Sequence, residues 1–212
     1  MAAPDSSPTP AEQGSQSSGR LVVWGVAIVL LAAGLIGGKT HHNVDPVHAG
    51  GAMSLSRPTG KHLPRARPTR LLIPKIDVDA PFTDLSLNAS GQLQPPPADD
   101  VNLVGWYAKG AAPGETGTAI IAGHVDTKTS AAVFAGLEEL ATGDRFTVRR
   151  ADGKDAVFVV DSAETFEKDA FPSRRVYADT PRAEARLITC AGDYDHAAGD
   201  YTENLVVFAH LV

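Results

Sequence analysis

The sequence predicts a mainly β domain over residues 70–212, a closed or sandwiched sheet with little helix. Three observations carry that reading. Apolar runs of four to eight residues recur with turn residues between them, rather than in alternating strand and helix blocks. Glycine (20) and proline (15) are plentiful while aromatic residues are only 6%, which suits many short strands better than long packed helices. Finally, "DRFTVRRADGKDAVFVVDSAETF" reads as two alternating strands joined at an Asp-Gly turn, a hairpin signature.

Ahead of that domain the chain changes character three times. Residues 1–19 are Ser, Pro, Gln and Gly with almost nothing to bury, so they predict a disordered tail. Residues 21–38, "LVVWGVAIVLLAAGLIGG", carry no charge, and about 20 apolar residues cross the hydrocarbon core of a bilayer. Arg20 and Lys39 bracket the segment and Trp24 lies near one end, as an interfacial aromatic would. The competing reading is a cleaved signal peptide; the length of the apolar stretch and the nineteen polar residues before it favour a retained anchor. Basic residues do not decide its orientation, because Arg20 stands alone on one side while Lys39, Arg57 and Lys61 follow on the other. Residues 39–69, rich in His, Pro, Gly and Arg with no apolar period, read as a linker. His41, His42 and His48 there lack the preorganised geometry a metal site needs.

Within the domain, "RLLIPKIDVDAPF" is a strand broken by Pro74, "GQLQPPPADD" is a loop, and "LVGWYA" a short strand. "GTAIIAGHVD" reads as a buried strand with a polar tip. Residues 131–141, "AAVFAGLEELA", space their apolar residues by three and four and predict a short helix. After the hairpin, "RLITC" and "NLVVFAHLV" complete the strands. Apolar residues at 43% and charged residues at 21% are ordinary for a globular domain, and a net charge of −6 gives no reason to expect nucleic acid as a partner.

The single cysteine, Cys190, excludes an internal disulfide and poses the functional question. A lone Cys ending an apolar strand is usually core. As a nucleophile it requires a thiolate, a group to shuttle the proton and donors for a developing oxyanion. Of seven histidines, four (His41, His42, His48 and His62) lie within residues 39–69, and His210 alternates with apolar residues of the last strand. His124 and His196 remain; His124 terminates a strand that holds the ring rigidly, whereas His196 lies in a Gly/Asp/Ala loop, so His124 is favoured. Asp126 and Glu138 are oxygen donors, but scattered acids are usually solvated and no metal site is assigned.

The motifs "GWYAKGAAPGETGTAIIAGH", "AGHVD", "DAFPSRRVY", "LITC" and "NLVVFA", in this order, resemble the sortases, most closely the actinobacterial class E/F. The resemblance covers residues 70–212, and a membrane anchor with a Pro-rich linker upstream fits it. It implies an eight-stranded β-barrel with one or two short helices, held at the cell membrane by a single pass with the domain outside. It also implies a cysteine transpeptidase that needs no cofactor. Cys190 would attack a backbone carbonyl in an LPXTG-like sorting signal of a secreted protein, forming an acyl-thioester. A peptidoglycan precursor or another amine would resolve it, with His124 as acid and base.

One position departs from the family pattern. Sortases generally place an arginine just before the final strand, and here Thr202, Glu203 and Asn204 occupy that approach. Losing a charged oxyanion donor costs about 3 kcal/mol, or about a hundredfold in rate. Two substitutes are expected: Asn204 as a neutral donor, or an arginine from "FPSRRVY", with Arg175 ranked before Arg174 because it precedes the apolar "VY". The alternatives are a membrane-tethered binding module or inactive homologue with a structural Cys, and a cysteine hydrolase or L,D-transpeptidase. The last typically shows "HGC", where this chain has Leu187, Ile188 and Thr189 before the cysteine.

Overall fold

A computed structural model describes residues 59–212 together with the pair Ile28–Val29, which lies antiparallel to Gln92–Leu93. The expected tail, the rest of the apolar 21–38 segment and the linker up to residue 58 lie outside the described residues. Among the described residues no helix is long and apolar enough to cross a membrane.

Eight strands form one closed barrel. They are β1 (Pro68–Ile73), β2 (Val78–Leu85), β3 (Val104–Tyr107), β4 (Gly117–Gly123), β5 (Arg145–Arg150), β6 (Asp155–Glu167), β7 (Ala183–Asp195) and β8 (Asp200–Leu211). Around the barrel the order is β8-β6-β5-β1-β2-β3-β4-β7, and β7 returns to β8. The β2–β3 and β4–β7 pairs are parallel and the others antiparallel. The predicted break at Pro74 is a 3-10 turn, Pro74–Ile76, ending at Asp77 with φ 53°. The Asp-Gly hairpin is present, with Gly153 at φ 76° between β5 and β6.

The period of two in each strand builds two cores. Ala119, Ile121, Leu187, Leu205 and Val207 point inward with the stacked pair Phe146–Phe158, whose centroids are 5.1 Å apart. Ile120, Ala122, Ile188, Cys190, Val206 and Phe208 point outward into a second apolar cluster, roofed by Leu93 and Val176. Strands β4, β7 and β8 are therefore buried on both faces, which is why "TAIIA", "RLITC" and "LVVFA" read as nearly continuous apolar runs.

Two local expectations differ from the structure. Residues 131–141 form turns with one 3-10 segment, Leu137–Glu139, in place of a helix. Val133, Phe134, Leu137 and Leu140 plug the inner core, so their spacing reflects burial, while Gly136 and the absence of a side-chain cap disfavour an α-helix. The short helix is instead α1 (Ser173–Tyr177), seated by buried Val176. The second difference concerns Cys190, which lies inside β7 rather than at its end. The strand continues because a bulge at Gly192 (φ 77°) shifts the register, after which Tyr194 and Asp195 pair again with Tyr201 and Asp200.

Residues 59–67 run along the barrel. The Leu63 amide donates to the Gly114 carbonyl at 2.7 Å, and the buried Arg150 guanidinium donates to the carbonyls of Pro113 (2.7 Å) and Pro64 (2.6 Å). Arg150 also binds Asp152, whose carboxyl it holds down to about 2.

Gly123 immediately precedes His124, and a Cβ there would lie 2.7 Å from the Phe134 ring and 2.8 Å from Val133 Cγ1. Gly123→Ala is expected to destabilise the domain by about 1–3 kcal/mol through overpacking. A chemical denaturation midpoint equal to that of the parent would contradict this account of the plug.

Candidate active site

Strand pairing brings sequence-distant residues together. On one side of β7, the parallel register matches Ala122 with Ile188; β4 ends at Gly123, and His124, the next residue, lines the same cavity as Cys190. On the other side, the antiparallel register matches Asn204 directly with Cys190. Directly opposed residues share a face, so Cys190 and Asn204 both project to the outside of the barrel wall.

Cys190 and His124 line one cavity of about 720 Å³, with Asp126, His196, Asp200 and Tyr201 among its other walls. That volume suits a small molecule or a short peptide segment. His196, the less favoured histidine, also reaches this cavity and packs edge-on against Tyr194 at 5.1 Å. Asp126 accepts a hydrogen bond from the Tyr201 hydroxyl, joining the loop after β4 to the start of β8. Burial, and then this bond, push the Tyr201 hydroxyl up to about 12.

His124 is buried, and its ring is fixed by a bond to the chain. Nε2 lies 2.8 Å from the Pro96 carbonyl oxygen, which can only accept, so Nε2 carries the hydrogen. In the neutral ring Nδ1 is then the proton acceptor. The loop "GQLQPPPADD" thus has a structural role, since one of its prolines sets the histidine tautomer.

Cys190 is only 7% exposed. Burial pushes its thiol up to about 11; Lys168 opposes that rise, while the charges of Asp200 and Asp126 add to it. Lys168 Nζ stands 3.8 Å from Sγ and 2.6 Å from the Asp200 carboxylate. Sequence reasoning misses Lys168. Its one signal is its place directly after β6, whose final pair with β8 is Glu167–Glu203.

Arg175 and Arg174 sit elsewhere. Both line a separate shallow groove with Phe171, Pro172, Ser173 and Ala178. Arg175 donates to both Glu164 oxygens at 2.7 and 2.6 Å, and its guanidinium lies 4.7 Å from the Phe208 ring centroid. The pairing holds the Glu164 carboxyl below the usual range. Burial of Val176 anchors α1 as the apolar "VY" suggested, but it turns Arg175 toward β6 rather than toward Cys190. Asn204 does stand beside Cys190; it is 1% exposed, and its Oδ1 is buried without a hydrogen-bond partner.

Comparison with known proteins places this arrangement. Residues 71–212 match the sortase domain family. Among solved structures, sortase A from Corynebacterium diphtheriae aligns at 21% identity over 70% of this chain and 62% of that chain, with a TM-score of 0.51. Sortase C1 from Streptococcus agalactiae aligns at 22% identity over 68% of this chain and 66% of that one, TM-score 0.52. Sortase C-1 from Actinomyces oris aligns at 22% identity over 68% and 72%, TM-score 0.51. The aligned region thus spans under two thirds of the first two chains, and at these identities the likeness is one of fold. A search of curated proteins finds no match.

The raised Cys190 pKa fixes the sign of its pH response. With a midpoint near 11, the protein holds the neutral thiol at pH 7. Alkylation by iodoacetamide is expected to climb about tenfold per pH unit above neutrality and to level off only near that midpoint. Arg175→Gln should leave this profile unchanged, because its guanidinium is bound to Glu164 outside the cavity. A plateau already reached by pH 8, or a shift in Arg175→Gln, would contradict the geometry.

Proposed function

The chain belongs to the sortase family, and from that premise we propose that it is a membrane-held cysteine transpeptidase acting on LPXTG-like sorting signals. The observation that carries the reading is that Cys190 on β7 and His124, directly after the adjacent parallel strand β4, face one cavity. A thiol and an imidazole held by the barrel frame are the minimum for acyl transfer through a covalent intermediate.

The chemistry follows from the protonation states. Cys190 rests as a thiol and Nδ1 of His124 as an acceptor. As Sγ attacks the substrate carbonyl, its proton passes to His124, and the carbonyl electron pair moves onto oxygen. Collapse of that adduct breaks the peptide C–N bond while His124 protonates the leaving amine. The acyl group remains on Cys190 as a thioester. An amine of a peptidoglycan precursor or another acceptor then attacks the thioester, giving its proton to His124, which returns it to the departing sulfur. A buried thiol disfavours stray reaction with water-borne electrophiles, since the thiolate forms only as proton transfer accompanies attack. The apolar segment 21–38 serves as the anchor in this reading, with the barrel on the outer side where sorting signals and wall precursors occur.

Two experiments test this function. The detergent-solubilised full chain, incubated with LPXTG-type peptides, should show an acyl adduct on Cys190 by mass spectrometry. Cys190→Ala should abolish it, and His124→Gln should slow its formation by about 10²–10⁴. Folded protein without adduct across a panel of sorting peptides would favour the binding-module reading. For the anchor, the full chain should remain with membranes after a high-salt wash, and deletion of residues 21–38 should release it. Release of the intact chain by salt alone would sink the single-pass assignment.

A further inference from the structure

The family pattern asks for a cation beside the nucleophile, and the start of β8 does not supply one. Asn204 stands opposite Cys190, neutral and only 1% exposed. Arg174 and Arg175 face another groove. The cation in contact with sulfur comes from a different strand. Lys168 follows β6 directly, and its amide donates to the Thr202 carbonyl at 3.0 Å, which ties it to the start of β8. From there its side chain, 16% exposed, reaches the Cys190 sulfur at 3.8 Å while Asp200 grips Nζ at 2.6 Å.

We propose that Lys168 is a catalytic residue of this site, supplying from the end of β6 the positive charge that an arginine at the start of β8 supplies elsewhere in the family. It stabilises the Cys190 thiolate and, in the acyl transfer proposed above, the oxyanion.

Three physical points support the assignment. An ammonium has three donors, so Nζ can keep Asp200 and still offer a hydrogen to sulfur or to an oxygen on the adjoining carbon. The oxyanion forms on the carbon newly bonded to Sγ, so a cation placed on Sγ is already within reach of it. The proton that leaves Cys190 travels by His124. Asn204 is also consistent: β8 lies between β6 and β7, so a second cation at 204 would stand between Lys168 and Cys190, and like charges at close range repel.

A lysine that only braced β6 against β8 through Asp200 would leave the thiol titration unmoved, so that titration discriminates. The thiol faces Lys168, Asp200, Asp126, His124 and Tyr201; substitution at 168 leaves the other four in place. The full chain and its Lys168→Met, Lys168→Gln and Lys168→Arg variants are alkylated with iodoacetamide across pH, without peptide. In parallel, acyl-enzyme formation is timed with an LPXTG-type peptide. Lys168→Met and Lys168→Gln should move the alkylation midpoint up by about one unit, about tenfold slower at pH 8. Acyl-enzyme formation should fall about hundredfold, and Lys168→Arg should retain most of both. Either neutral variant, folded by its thermal melt, with the parent's alkylation profile overturns the proposal. A lysine-dependent alkylation profile in a chain that no sorting peptide acylates would instead reject the transpeptidase reading while upholding Lys168 as the thiolate's counter-charge.

Discussion

The parallel pairing of β4 with β7 is the constraint on which the rest of the molecule depends. It closes the barrel between two strands far apart in sequence, and it sets the level at which each emerges. Slipping that register by one residue would exchange the inner and outer faces of β7, sending Leu187 out and Cys190 into the barrel. Both faces of β7 are apolar and packed, so the register is held from two sides. Cys190 and the strand end that carries His124 are held because the barrel cannot form without placing them.

Burial on the outer face has an electrostatic consequence. The same apolar cluster that seats Cys190 raises its thiol to about 11, and Asp200 and Asp126 push in the same direction. Against these stands Lys168, held on the sulfur by one of those acids. The site is thus balanced toward a protonated thiol. The Pro96 carbonyl completes that arrangement by fixing which imidazole nitrogen is free to accept.

The covering segments share this logic. Residues 131–141 plug the inner core from the loop after His124, and α1 roofs the outer core from the segment before β7. Each grows out of a loop adjoining a site strand, so packing of the cover and orientation of the site are mechanically linked. Phe134 makes the link explicit: its amide donates to the His124 carbonyl at 2.9 Å while its ring fills the core.

By itself the sequence determined the β domain, its hairpin, the break at Pro74 and two of the residues that line the cavity, Cys190 and His124. These are legible because each is a local matter: period-two patterning, turn residues, and a scarce reactive side chain at the tip of an apolar run. The sequence also showed Thr202, Glu203 and Asn204, and no arginine, on the approach to the last strand, and the structure sets Asn204 opposite Cys190. Tertiary structure decided the rest. The spacing of 131–141 looked helical because burial against a barrel mouth can mimic a helical period. Arg175 looked like the missing cation because nothing in "FPSRRVY" reveals that Glu164, on the strand before it, captures the guanidinium. Lys168 was invisible for the complementary reason: its contact with Cys190 spans the width of β8, and pairings of β8 with β6 and with β7 are needed before a lysine after one strand can reach a sulfur on another.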